Sequence, residues 1–204
     1  MQDFAQYVDV DPDVRLMLAV QLDDPAAFDE LVSRYEPRLI SVLALLMGDR
    51  EQARDLAQEV FLRVFRARKT YQPKAKFCTW LFTIANNVAS NARRARRFPY
   101  QLNLNDSCTF AVGRLGAKSA AMPSRSLDRA EEVAFVREAI AGLSERQRSA
   151  LVLCKFEGMS YAEIARTMAT TPKAVKSLLA RARDNLRVSL APYVRDGSPL
   201  SECK

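Results

Sequence analysis

Histidine is absent from the 204-residue chain. That excludes imidazole acid–base catalysis and every histidine-containing metal site. The cysteines are Cys78, Cys108, Cys154 and Cys203, with no C-x-x-C spacing, which argues against zinc. Asp55 and Glu59, one helical turn apart, are the one tempting carboxylate pair, and no positioned nucleophile or further carboxylate completes a metal site around them. The sequence therefore predicts no catalytic residue, no metal and no cofactor. It is rich instead in side chains that hold nucleic acid. Trp80, Thr83, Asn87, Asn91 and Arg94 share one stripe of a helical segment, with Asn86 beside Asn87 and Arg93 beside Arg94. Asparagine pairs with base edges, an indole stacks on a base and arginine holds phosphate. Trp80 can equally be a partly buried core aromatic, whereas mid-helix asparagines are disfavoured and usually serve a purpose. A second set, Thr171, Lys173, Lys176, Ser177, Ala180 and Arg181, lies near the start of another helical segment.

The elements that must position these groups are all helical. The last fifty residues read as a helix-turn-helix. Ser144 with Gln147, and Ser160 with Glu163, have the spacing of capping boxes. Thr171-Pro172 starts a third helix, with threonine capping and proline at the first helical position. About three residues, Ala169 to Thr171, separate the last two helices, and so short a turn forces a steep crossing. In the third helix Val175, Leu179, Ala182 and Leu186 form a buried stripe, and the basic and short polar residues lie off it. An ordinary solvated amphipathic helix shows the same periodicity, but the two upstream caps and the short turn favour a DNA-reading helix.

Upstream, Asp11-Pro12 starts a helix ending near Leu22, and Asp24-Pro25 starts one running to Met47, with a kink expected at Pro37 and a stop at Gly48. Asp49 caps a helix from about Arg50 to Arg68, whose core stripe is Ala53, Leu56, Ala57, Val60 and Val64. Asp55, Gln58, Glu59, Leu62, Arg63 and Arg66 form the opposite face, a mixture of acid, amide and apolar groups that suits protein docking and also an ordinary solvated face. Tyr71 to Lys76 reads as a loop. A helix from about Phe77 to Arg97 follows, with Phe77, Leu81, Ile84, Val88, Ala92 and Ala95 as its core stripe.

From Phe98 to Arg125 no amphipathic period survives, which is long for a loop within one domain. The expected fold class is all-α, with two small helical domains joined by a flexible linker: residues 1–97, linker 98–125, residues 126–192 and a frayed tail 193–204. A net charge of +7 favours a polyanionic partner. No apolar run approaches the roughly twenty residues of a membrane span, and nothing resembles a signal peptide, so a soluble, reduced, cytoplasmic protein is expected. Cys154 reads as a small core residue; Cys108 and Cys203 fall in segments expected to be flexible.

Taken in order, Asp55-Leu56-Ala57-Gln58-Glu59-Val60-Phe61, then Phe77-Cys78-Thr79-Trp80-Leu81-Phe82-Thr83-Ile84-Ala85-Asn86-Asn87, then the helix-turn-helix resemble a bacterial RNA polymerase sigma factor of the extracytoplasmic-function (ECF) group within the sigma-70 superfamily. The resemblance covers roughly residues 25–97 and 127–190. It implies two helical domains, sigma regions 2 and 4. It implies docking on the polymerase clamp helices through Asp55, Gln58 and Glu59, with Arg63 and Phe65 nearby. It places Asn87 in a pocket for one flipped base of the −10 element, closed by the loop 71–77, with Trp80 and Asn86 beside it and Asn91, Arg93 and Arg94 on the adjacent strand and backbone. It directs Thr171, Lys173, Lys176, Ser177, Ala180 and Arg181 to the −35 element. The implied partners are core RNA polymerase, promoter DNA and an anti-sigma factor. The chain departs from the family pattern at Leu178 and Ala180, where longer polar or aromatic groups are common, and at Ala57, where Val or Ile is commoner. Two other readings compete with it. A helix-turn-helix regulator that never binds polymerase would not need the Asp55-Gln58-Glu59 face. A DNA-processing enzyme would need more than the Asp55/Glu59 pair.

Overall fold

A computed structural model describes Tyr7 and residues 10–97 and 126–194. The expected linker, 98–125, and residues 195–204 of the expected tail lie outside the described residues. Within them the regular elements are helical: α1 (Pro12–Gln21), α2 (Pro25–Met47), α3 (Arg50–Ala67), a 3₁₀ turn (Arg68–Thr70), α4 (Phe77–Arg97), α5 (Ser126–Ala141), α6 (Glu145–Lys155), α7 (Tyr161–Thr167) and α8 (Pro172–Val194).

The helix starts are built as their sequences dictate. The Asp11, Asp24 and Asp49 side chains accept from backbone N–H groups of the first turns of α1, α2 and α3, satisfying donors that have no partner within the helix. Asp11 does more, because its other oxygen accepts from the Phe77 N–H at 3.0 Å and ties the start of α4 to α1. Gly48 closes α2 with φ of 75°, a left-handed conformation that suits glycine. Pro37 does not end α2, which continues through it to Met47.

The first bundle, α1–α4, packs around an apolar core. Val14, Met17, Leu31, Leu39, Leu43, Leu46, Val60, Val64, Phe77 and Leu81 are almost wholly buried. The buried side of α4 is broader than its one-stripe pattern suggests: Phe82, Ala85 and Ala89 are buried too, whereas Ala95, expected in the core, is exposed. The second bundle packs α8 against α6, α7 and α5 through Val175, Leu179 and Ala182, with Leu151, Leu153 and Ile164 also in the core. Both predicted capping boxes are present, Ser144 with Gln147 and Ser160 with Glu163. Thr171 Oγ1 accepts from the Ala174 N–H at 3.2 Å. The turn before it carries Ala169 at φ of 47°.

The two bundles touch. Helices α5 and α6 lie against α2, and α7 lies against α4.

Leu39 is fully buried at the centre of the first bundle. Leu39→Ala should cost about 2–5 kcal/mol, by loss of transfer free energy and by the cavity left behind. Urea unfolding of the variant against the parent chain measures it.

Candidate nucleic-acid interface

Three surfaces carry the residues singled out by the sequence. On α3, Asp55 and Gln58 are exposed, and Glu59 and Arg63 are half-buried, joined to each other by an ion pair at 2.7 Å. Leu62 and Phe65, 50% and 41% exposed, stand beside them. Phe65 is held in place rather than loose: its ring lies 5.2 Å from Phe28, and the Arg68 guanidinium stacks 3.9 Å above it. The result is a fixed surface with acidic, amide and apolar groups side by side, a composition suited to protein contact.

On α8, Thr171, Lys173, Lys176, Ser177 and Arg181 are exposed and Ala180 is half-buried. Their positions follow from the burial of Val175, Leu179 and Ala182, which turns the intervening residues outward. Lys173, Lys176 and Ser177 lie on the first two turns, where a groove-entering helix presents side chains to base edges.

On α4 the predicted set divides. Asn87, Asn91 and Arg94 are exposed, and Arg94 donates to Asn91 Oδ1 at 2.9 Å. Trp80 is half-buried, its ring 4.8 Å from Tyr71 and 6.0 Å from Phe77. Tyr71, the first residue of the loop leading to α4, is thereby packed under the indole, and burial pushes its phenol well above the usual range. The loop and the exposed Asn87 face are linked through this aromatic cluster. Asn86 and Arg93 sit elsewhere, 7% and 9% exposed. Arg93 donates to the Leu46 carbonyl at 3.2 Å and to Ser149 Oγ at 3.5 Å, and lies 3.3 Å from the Glu145 carboxylate. It is thus part of the seam between the bundles.

That seam was not read from the sequence. Thr79, Thr83, Asn86, Ser90 and Arg93 recur at spacings of 4, 3, 4 and 3 and form a polar stripe one step around α4 from the Trp80 stripe; Thr83, which the sequence reading grouped with Trp80, belongs to this stripe instead. Thr79 donates to Glu163 at 2.9 Å, and the Thr83 and Thr167 hydroxyls are 2.8 Å apart. Arg148 reaches across to the Leu46 carbonyl at 3.0 Å. On α2, Arg38 pairs with Glu157 at 2.9 Å. The periodic polar stripe was the available signal, since a solvated face rarely needs threonine, asparagine and serine in a mid-helix row.

Among the described residues no group of His, Cys, Asp and Glu could hold a metal. No described helix is long and apolar enough to cross a membrane.

Comparison with known proteins agrees with this arrangement. The sigma-70 region 2 family model matches residues 31–98, and the sigma-70 region 4 model matches residues 136–186. RNA polymerase sigma-H factor of Pseudomonas aeruginosa is 35% identical over 90% of this chain and 96% of its own length. The chain belongs to the ECF group of sigma-70 factors. ECF RNA polymerase sigma-E factor of Escherichia coli is 31% identical over 88% of this chain and 95% of its own. Among solved structures, that of CnrH in complex with the cytosolic domain of CnrY covers 89% of this chain and 99% of its own with a TM-score of 0.65 at 24% identity. At that identity the match speaks for the fold alone. In sigma-factor terms the first bundle is region 2 and the second is region 4, and α7–α8 is its helix-turn-helix.

Glu157 gives the seam a pH dependence. Burial pushes its carboxyl up to about 7, against the pull of Arg38. A carboxyl whose pKa is raised on packing binds its proton more tightly in the packed state. Its favourable contribution is therefore complete below the ordinary value of 4.5 and is lost as pH rises through about 7. Thermal unfolding between pH 5.5 and 8 should show the parent chain losing stability toward the alkaline end more steeply than Glu157→Gln.

Proposed function

We propose that this chain binds core RNA polymerase through α3 and directs initiation at promoters read by α4 at the −10 element and by α8 at the −35 element. The observation that carries the reading is the coexistence, on one chain, of a fixed mixed-character docking surface on α3 and two separate helices with exposed base-reading and phosphate-holding groups. Residues 12–97 supply polymerase docking and −10 recognition, and residues 126–192 supply −35 recognition. Asp55, Gln58, Glu59, Arg63 and Phe65 dock. Trp80, Asn87, Asn91 and Arg94 face the −10 element, and Thr171, Lys173, Lys176, Ser177, Ala180 and Arg181 face the −35 element. Asn86 and Arg93 are buried, and Arg93 is bonded across the seam, so neither belongs to the −10 set in this arrangement.

The physical logic has two terms. Lysine and arginine give a salt-dependent affinity for any DNA, and side chains on base edges add discrimination of about 1–3 kcal/mol per good contact. Two reading heads on one chain reinforce each other through effective concentration. At the −10 element a base must leave the stack, at a cost of a few kcal/mol, and capture by a protein pocket offsets it. The Tyr71–Trp80 cluster beside Asn87 is the candidate wall of that pocket. The protein itself makes and breaks no covalent bond; polymerase supplies the chemistry. It acts where polymerase and DNA are, in the cytoplasm. Sigma factor RpoE of Bartonella quintana, whose title gives it in complex with the anti-sigma factor NepR, supports an anti-sigma partner here too. A regulator without polymerase contact lacks a use for the α3 surface and is not favoured.

Two substitutions separate the roles. Gln58→Ala combined with Glu59→Ala should weaken core polymerase binding at least tenfold and leave affinity for a −35 duplex unchanged. Asn87→Ala should reduce binding of holoenzyme to a forked −10 template by about 1–3 kcal/mol without changing its affinity for core. Fluorescence anisotropy with labelled DNA and with labelled core measures both. Equal loss of every activity in either variant would reject the assignment.

A further inference from the structure

Helix α1 meets the loop between the 3₁₀ turn and α4 with both of its ends. At its start, one carboxylate oxygen of Asp11 caps α1 by accepting from the Asp13 N–H, and the other accepts from the Phe77 N–H, each at 3.0 Å. Phe77 is the first residue of α4, and a donor there has no partner within its own helix. At the other end, the Gln21 amide nitrogen carries two hydrogens. It donates to the Lys69 carbonyl at 3.2 Å and to the Tyr71 carbonyl at 3.3 Å. Lys69 returns the contact through its ammonium, which donates to the Gln21 carbonyl at 3.0 Å. Tyr71 and Phe77, the two ends of the loop, are therefore tied to the two ends of one ten-residue helix.

The turn after α1 strengthens one of these ties. Asp23 has a positive φ of 67°, which aspartate tolerates better than most residues. Its carboxylate pairs with Arg68 at 3.0 Å and with Lys69. Helix α1 is itself fixed in the core by Val14, Met17 and Val20. A helix of this length is a rod of about 15 Å, whereas a loop takes many shapes unless its ends are held. Between the held ends Gln72, Lys74 and Lys76 are exposed. The held ends themselves carry the aromatic wall: Tyr71 and Phe77 are the rings packed against Trp80, at 4.8 and 6.0 Å.

We propose that α1 is a splint for the −10 reading loop. Asp11 and Gln21 are positioning residues: they fix the separation of Tyr71 and Phe77, and through them the seat of Trp80, and act through these rings rather than on a base. The inference rests on the sigma-factor reading for its consequence, but the splint itself stands on the hydrogen bonds. Freed at either end, the loop keeps its residues and loses its single shape. A pocket whose wall must be ordered at the moment of binding captures a base less well and distinguishes bases less sharply. Because loss of either tie already frees the loop, the two contributions are coupled and do not add.

Trp80 is the sole tryptophan of the chain, so its fluorescence reports on this wall alone. The test compares the full chain with Asp11→Asn and Gln21→Met, singly and combined. Asparagine remains a good N-cap, but its single oxygen replaces the two that serve α1 and Phe77. Methionine keeps the length and the helix propensity of glutamine and has no donor. Arg15→Gln, on the exposed side of α1, is the control. Each variant should keep its helix content by circular dichroism, while acrylamide quenching of Trp80 rises at least about twofold as the wall loosens. As holoenzyme, each should bind a forked −10 template at least about threefold more weakly, and its preference for that template over versions with one −10 base replaced should shrink by a similar factor. Affinity for core polymerase and for a −35 duplex should stay unchanged, and the combined variant should be little worse than the weaker single one. Should Asp11→Asn alone unfold, Gln21→Met decides. Folded variants with unchanged quenching would overturn the splint. So would a loosened Trp80 with unchanged −10 preference, or strictly additive losses in the combined variant. A fall in helix content and core binding in both single variants would also overturn it, by making α1 a support of the bundle and not of the loop. A loosened Trp80 in a set in which not even the parent binds core polymerase would uphold the splint and remove the sigma-factor reading beneath it.

Discussion

Burial of the Arg93 guanidinium between two helical bundles is the constraint around which the rest is arranged. A charge withdrawn from water is costly unless it is paired and hydrogen-bonded. Arg93 meets that condition by drawing on both bundles at once, taking the Leu46 carbonyl from α2 and Ser149 and Glu145 from α6. Leu46 is the right acceptor because it lies at the end of α2, where carbonyls have no partner within the helix. The same carbonyl accepts from Arg148. One helix terminus thus serves as the anchor for arginines from both sides.

From that anchor the orientation of α4 follows. Its apolar side, with Phe77, Leu81, Phe82, Ala85, Val88 and Ala89, is committed to the region 2 core. The Arg93 stripe is committed to region 4. What is left outward is the sector with Asn87, Asn91 and Arg94, flanked by Trp80 on its Tyr71 support. The sector proposed to read DNA is therefore what remains when two of the helix's three sides are taken by protein packing. Region 4 follows the same rule on a smaller scale. Val175, Leu179 and Ala182 turn inward, and the lysines and arginines between them can only face solvent.

Much of this was legible in the residues. Helix starts were visible because capping is local chemistry: aspartate or threonine next to proline, or serine three residues before glutamate or glutamine, leaves few other uses for those side chains. The α8 face was legible because its buried stripe is narrow and regular. The α3 surface was legible as a mixed face but not as a structured one, since the Phe28–Phe65–Arg68 stack joins residues about forty positions apart. The seam was hidden for a related reason. Thr79 and Glu163 are 84 residues apart, and each has a plausible local role, as a helix-start threonine and as half of a capping box. Only the periodic polar row on α4 hinted that a second protein surface covered it. Arg93 was assigned to DNA by its place beside Arg94 and by the family resemblance, and neither shows which of two adjacent arginines turns inward.

The measurement that bears most directly on the account is run-off transcription with purified bacterial core polymerase, this chain and a library of genomic promoter fragments at fixed salt. The account predicts new transcripts whose start sites share one −35 and one −10 sequence and which depend on the chain. Binding of the chain to DNA without any redirected transcript would contradict it and would leave the α3 surface to a partner other than polymerase.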